Sequence, residues 1–157
     1  MNVWTLMDSP VGRLRIAGDG HSVTAIDFEP HGEPVGERDD SDPVLVEARR
    51  QLTAYFAGER EEFDLALAPS GTPFQLKVWE ALRSIPYGQT ASYGDIARRL
   101  GLGPRGSRAV GTANGANPIP VVVPCHRVIG ADGNLTGYGG GLDRKQTLLS
   151  LENPGLF

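Results

Sequence analysis

The only cysteine in this 157-residue chain sits in Pro124-Cys125-His126-Arg127, directly after the apolar run Val121-Val122-Val123. One thiol cannot close an internal disulfide, and one thiol beside one imidazole is too small a set for a structural zinc site. The sulfur is therefore either a small buried hydrophobe or a nucleophile. An adjacent imidazole, a guanidinium and a proline that fixes the backbone are surroundings that favour the thiolate, the reactive form. In a strand the His126 side chain would point away from the sulfur, so the chain must turn at Cys125 or a water must bridge thiol and imidazole. A histidine base also needs a carboxylate or carbonyl on its second nitrogen. Glu152 can supply one only if the last helix folds back onto the Cys loop.

Two other features invite chemistry. Gly139-Gly140-Gly141 lacks the Lys-Ser/Thr of a phosphate loop and the spacing of a dinucleotide fingerprint, so no nucleotide cofactor is expected. Closing over a planar ligand suits it better, because glycine lets backbone N–H groups approach closely. Arg108 lies at the start of an expected helix, where the dipole disfavours a cation. A helix-turn-helix reader presents that end of its second helix to DNA, which gives a displayed arginine a use.

The elements that must position these groups are legible in outline. Val3–Met7, Arg13–Ala17 and Val23–Phe28 read as a three-strand antiparallel meander. Residues 30–42 read as an acidic loop. Asp42 then caps a helix with Pro43 at its first position, and Gly58 ends it. Phe63, Leu65 and Leu67 alternate as in a strand. Thr72-Pro73-Phe74-Gln75 is a capping box opening a helix with Phe74, Val78, Leu82 and Ile85 on its apolar face. Ser92-Tyr93-Gly94-Asp95 is a second capping box. After the turn Gly103-Pro104-Arg105-Gly106, Ser107 caps a further short helix over 108–114, completing a helix-turn-helix pattern. The run 121–123 reads as a strand, Asp132-Gly133 as the turn of a hairpin wing, and 144–152 as a last helix capped by Asp143 and Gln146. The expected architecture is α+β, with a small N-terminal antiparallel-sheet domain over 1–68, a linker at 69–71, and a helical winged-helix-like domain over 72–157.

Charge divides along the same line. The net charge is −4, but residues 1–71 carry 6 Lys and Arg against 14 Asp and Glu, whereas residues 72–157 carry 9 against 5. A basic half of an acidic chain points to a polyanion partner for that half. No signal peptide or membrane-spanning run is evident, and a lone free cysteine fits a reducing cytoplasm.

Pro124-Cys125-His126-Arg127-Val128-Ile129 resembles the active-site signature of the O6-alkylguanine-DNA alkyltransferases, the methylated-DNA–protein-cysteine methyltransferases. Ile85-Pro86-Tyr87-Gly88, Ser92 to Ala97, Ser107 to Gly111, Asn117-Pro118, Gly137 to Leu142 and Lys145 to Leu149 follow in the family's order. The resemblance is tight over 72–152 and looser over 1–71, where it implies a ribonuclease-H-like domain. It implies that Cys125 accepts the alkyl group, that His126 deprotonates it through a water, and that Glu152 orients His126. Asn117 would tie the preceding loop to the active-site turn. Tyr93 would donate to N3 of the guanine and crowd the adjacent phosphate. Arg108 would fill the gap left in the base stack, with Ser92, Ala109 and Gly111 also at the DNA. Val128 would accept from the exocyclic amine together with the Cys125 carbonyl, and Pro120, Tyr138, Gly139 and Gly140 would wall the alkyl pocket. The implied partner is double-stranded DNA carrying O6-alkylguanine. The chain would be a monomer in solution that could bind DNA cooperatively, with no metal or other cofactor.

Where some relatives have a serine, this chain has Gly139, so only a backbone N–H could serve O6 there. Competing readings are a non-reactive lesion-binding module, a cysteine hydrolase with a Cys-His-Glu triad, and a plain helix-turn-helix transcription factor. The first and last leave Cys125 unused, and the hydrolase needs an oxyanion hole and repeated turnover.

Overall fold

The computed structural model describes residues 1–103 and 105–155. Pro104 of the expected turn, and residues 156–157 at the end of the expected second domain, lie outside the described residues. The chain divides into two compact units, Met1–Ser70 and Gly71–Phe157.

In the first unit, strands β1 (Val3–Met7), β2 (Leu14–Gly18) and β3 (Val23–Phe28) form the meander, with Thr5 opposite Ile16 and Ile16 opposite Ile26. Period-two side chains Val3, Thr5, Leu14 and Ile16 point to one buried face. Helix α1 (Pro43–Phe56) lies across that face and covers it with Leu45, Ala48, Leu52 and Tyr55. The Asp42 side chain accepts from Leu45 N at 3.1 Å, and Pro43 occupies the first turn. A register shift at Ala17/Gly18 puts Val23 and Ile26, rather than 24 and 26, on the inner face.

Two expectations fail here. Within the acidic loop, Glu37–Arg38 form strand β4, pairing in parallel with β1, so the sheet order is β3-β2-β1-β4. Gly36 makes this possible: at φ +85° a Cβ would lie 1.9 Å from the Asn2 carbonyl oxygen. The alternating segment 63–67 is not a strand. Among the described residues its only ladder contact is a bridge of Leu67 to Val23, while the Gln51 amide takes both the N–H and the C=O of Asp64 at 2.8 and 3.0 Å. A side chain has replaced the neighbour strand.

In the second unit, α2 (Pro73–Leu82), α3 (Tyr93–Arg99) and α4 (Gly106–Gly115) pack on one another. The capping boxes of α2 and α3 both form, Thr72 with Gln75 and Ser92 with Asp95. Trp79 is buried on α2, and its indole donates to Ala113 O of α4 at 2.8 Å, tying the two helices by a bond as well as by area. Helix α4 starts two residues earlier than expected, with Arg105 at the cap and no side-chain capping bond, so Ser107 lies in the first turn instead of capping.

Residues 121–123 do not form a strand. Prolines at 118, 120 and 124 remove backbone donors on either side of that segment, and it folds as turns with Val121 at φ +73°. A 3-10 turn, Cys125–Arg127, leads into β6 (Val128–Ile129), which pairs in parallel with β5 (Ala91–Ser92). At the expected wing, Gly133 N bonds Gly130 O and Gly130 N bonds Asn134 O, but no second strand follows among the described residues. Helix α5 (Leu142–Glu152) begins after Gly141 at φ +94° with no side-chain cap, so Asp143 and Gln146 lie inside it.

Candidate active site

Cys125 sits at the first position of the 3-10 turn, where a chain leaving the Pro124 corner reverses direction. Asn117 holds the corner from behind: its Nδ2 donates to Val123 O at 2.9 Å and its Oδ1 accepts from Ile119 N at 3.0 Å. Val123 N closes the loop on Ile119 O at 2.9 Å. These bonds help hold Val121 in a left-handed conformation that a β-branched residue resists by about 1–3 kcal/mol. Asn114 of α4 adds a longer bond of 3.4 Å to Cys125 O.

Helix α5 does fold back. Nε2 of His126 lies 2.7 Å from Oε2 of Glu152, and the imidazole is fully buried. Arg127 grips the same carboxylate at two points, Nε to Oε1 at 2.8 Å and Nη2 to Oε2 at 2.9 Å, and sends Nη1 to Ile85 O at 2.7 Å. Burial would raise the Glu152 carboxyl, but hydrogen bonds from His126 and Arg127 outweigh it and bring it down to about 2. Glu152 is thus ionised, so Nε2 of His126 carries the proton facing it, and the lone pair is on Nδ1. Nδ1 is buried and has no hydrogen-bond partner among the described residues. Burial lowers the His126 pKa against the pull of Glu152, which keeps the ring a neutral base.

The thiol departs from the sequence expectation. Cys125 is 4% exposed, and burial raises its pKa above 9.0, opposed by the Asn117 side chain, the Lys145 charge and the Tyr138 hydroxyl. Burial thus favours the neutral thiol over the thiolate that the motif suggests, and the motif's guanidinium is committed to Glu152 instead of the sulfur. The proton must be taken by a base when the reaction requires it.

Lys145 carried no role in the sequence reading and is fully buried. Its ammonium donates to Val128 O at 2.6 Å and Thr136 O at 3.1 Å. Burial lowers its pKa to about 8, and a negative charge on Cys125 would pull the other way. The signal was present: positions 145, 148, 149 and 152 share the buried face of α5, and a lysine there needs polar partners. The Val128 carbonyl, expected to face a guanine amine, therefore already accepts one bond.

Tyr93 opens α3, half-buried, with its hydroxyl 2.6 Å from Thr136 Oγ1. Ser92 is occupied as the α3 cap, accepting from Asp95 N at 3.0 Å. Arg108 and Ala109 are exposed on α4, as are Arg105 and Thr112 one turn to either side, so these four share an open face. Gly111 faces the Tyr93 ring, whose carbons would lie 3.7 Å from a Cβ there. Pro120 is buried, Tyr138 and Gly140 are half-buried and Gly139 is exposed. Burial raises the Tyr138 phenol well above its ordinary value, and a negative charge on Cys125 would add to the rise. Tyr138 and Cys125 are thus neighbours, although the sequence separates them by a whole loop.

Residues 73–154 match the family described as 6-O-methylguanine DNA methyltransferase, DNA binding domain. Residues 2–69 match its ribonuclease-like domain. This chain belongs to the 6-O-methylguanine DNA methyltransferase family. The methylated-DNA–protein-cysteine methyltransferase of Methanosarcina acetivorans is 49% identical over 95% of this chain and 97% of its own length. A crystal structure of the Mycobacterium tuberculosis O6-methylguanine methyltransferase is 50% identical with a TM-score of 0.90, covering 98% of this chain and 94% of that one. A structure of the M. tuberculosis protein in complex with DNA gives 49% identity and a TM-score of 0.89, over 97% and 93% of the two chains. The α+β architecture read from the sequence is that of the family. Among the described residues no helix is long and apolar enough to cross a membrane.

Proposed function

We propose that this family member repairs DNA by moving an alkyl group from O6 of guanine onto Sγ of Cys125, once per molecule. The observation that carries the reading is the buried His126–Glu152 pair beside the only thiol, in a unit that displays Arg108 from a helix-turn-helix. Nδ1 of His126 takes the thiol proton, through a bridging water. The sulfur attacks the saturated carbon, the S–C bond forms as the C–O bond breaks, and the electron pair passes into the purine. Tyr93 donates to N3 of the leaving base, and Val128 and Cys125 carbonyls accept from its exocyclic amine. Asn117 keeps the turn in register, while Pro120, Tyr138, Gly139 and Gly140 enclose the alkyl group. The thioether has no hydrolytic route back, so the protein is consumed.

A base inside the stack is out of reach, and extruding it costs a few kcal/mol. Arg108 enters from the minor groove and fills the vacated place, with Ser92, Ala109 and Gly111 along the same contact. That the M. tuberculosis relative has been crystallised with DNA supports a duplex as the partner. A reduced thiol fits a cytoplasmic monomer, and O4-alkylthymine presents a comparable alkyl–oxygen bond.

The test is incubation with a duplex containing one O6-methylguanine, followed by intact mass and peptide mapping. One methyl on Cys125 per molecule is expected. Multiple turnovers, or no adduct at equal protein and lesion, would reject the reading. Cys125→Ser should abolish transfer while duplex binding persists.

A further inference from the structure

We propose that Thr136 is a positioning residue for Tyr93, its hydroxyl donating to the phenolic oxygen so that the phenol's own proton is turned toward the base. The inference rests on the reading of Tyr93 as the group that faces guanine N3. The two hydroxyl oxygens are 2.6 Å apart and belong to residues 43 positions apart in the chain. Each hydroxyl has one proton to give and lone pairs to receive. If Tyr93 donated to Thr136, its proton would be engaged and could not reach N3. With Thr136 as donor, the phenol proton is free and its direction is fixed by the bond on the other side of the oxygen.

Both partners are held from outside the pair. The Thr136 carbonyl accepts from the buried Lys145 ammonium at 3.1 Å, and the same ammonium bonds Val128 O of β6 at 2.6 Å. The hydroxyl is therefore carried on backbone pinned to helix α5, although the residues just before it, 131–134, are exposed. Across the ring, Tyr93 faces Gly111 of α4, where an added Cβ would stand 3.7 Å from two ring carbons. A relay thus runs from α5 through Thr136 to the phenol.

The chemistry gives this relay a purpose. As Sγ bonds to the alkyl carbon and the C–O6 pair moves into the purine, N3 becomes more basic and draws the Tyr93 proton. Negative charge then develops on the phenolic oxygen. A donor already aimed at that oxygen stabilises the charge without reorganising. Thr136 touches neither the sulfur nor the alkyl carbon, and it acts through Tyr93 alone.

Single-turnover transfer would be measured on two duplexes, one with O6-methylguanine and one with its 3-deaza analogue, in which N3 is C–H. The wild type should react about tenfold more slowly with the analogue, the worth of one lost hydrogen bond. Thr136→Val should be slower on O6-methylguanine by a similar factor and nearly unchanged on the analogue, and Thr136→Ser should restore the wild-type ratio. A wild type that treats both duplexes alike would refute the Tyr93–N3 reading itself. A wild type that discriminates, with Thr136→Val discriminating equally, would overturn the role given to Thr136. Equal slowing of Thr136→Val on both duplexes would likewise reduce Thr136 to a structural contact and overturn the proposal.

Discussion

Oε2 of Glu152 lies 2.7 Å from Nε2 of His126, with both side chains buried. The carboxylate orients a neutral imidazole and at the same time neutralises the Arg127 guanidinium bound to it at two points. In the proposed mechanism the geometry of the base and the stability of the fold therefore share one ionised group.

Glu152→Gln should cost about 3 kcal/mol or more of stability at neutral pH, because it strands a buried arginine without its counter-charge. The sign of the pH effect follows from the carboxyl being held at about 2, below its ordinary 4.5. Such a group contributes stability above about pH 4.5 and loses it as pH falls toward 2. The wild-type advantage over Glu152→Gln should accordingly shrink across that window in denaturant melts. A gap unchanged at its acid end would show that the carboxylate's ionisation is not what stabilises the network.

The acid limb of the reaction tests the base. Burial depresses His126 below its ordinary 6.5, so it stays neutral, and able to take a proton, into mildly acidic solution. Single-turnover rates from about pH 5 to about 8 should be flat near neutrality and fall with a midpoint below 6.5. A midpoint above 6.5 would mean that Glu152 wins over burial at His126. Quenched-flow transfer from a methylated duplex measures it directly.

The pieces of this site differ in how visible they were in the sequence. Caps and periodicity are local, so α1, α2 and α3 began where Asp42, Thr72 and Ser92 placed them. The Cys-His pair was conspicuous as a motif, and strand geometry left a turn at Cys125 or a bridging water as the alternatives. Groups whose role depends on distant partners were hidden. Arg127 read as a neighbour of the thiol, yet its partners are 25 and 42 residues away. Lys145 reads as one more helical lysine until its carbonyl partners are known. Periodicity also misled at Val121-Val122-Val123, where apolar character reflects burial in a clasped loop and not pairing in a sheet.

Removing the clasp should be costly in two ways. Asn117→Ala leaves Val123 O and Ile119 N without their side-chain partner, a loss of about 1–3 kcal/mol for buried polar groups. With Val121 no longer held at φ +73°, the turn carrying Cys125 should also relax. Transfer should therefore fall further than the stability loss alone explains at temperatures where the variant is fully folded. Thermal melts and transfer rates on the same preparation check this; full activity in a folded Asn117→Ala would show that the clasp does not position the sulfur.

In its proposed role, Arg108 would separate recognition of the duplex from chemistry on the base. It is exposed on α4, and its substitution should change stability by less than about 0.5 kcal/mol. If it fills the stack, Arg108→Ala should slow transfer from a duplex far more than reaction with free O6-benzylguanine, which needs no extrusion. Arg108→Met, keeping length without charge, should recover part of the duplex rate. A phosphate contact predicts otherwise: each one lost flattens the dependence of log affinity on log salt by about 0.9, and methionine would rescue nothing. Binding titrations across salt, run beside the two transfer assays, decide between insertion and simple charge pairing. An unchanged salt slope with a selective duplex defect assigns Arg108 to the stack, whereas a flattened slope with equal slowing on both substrates removes it.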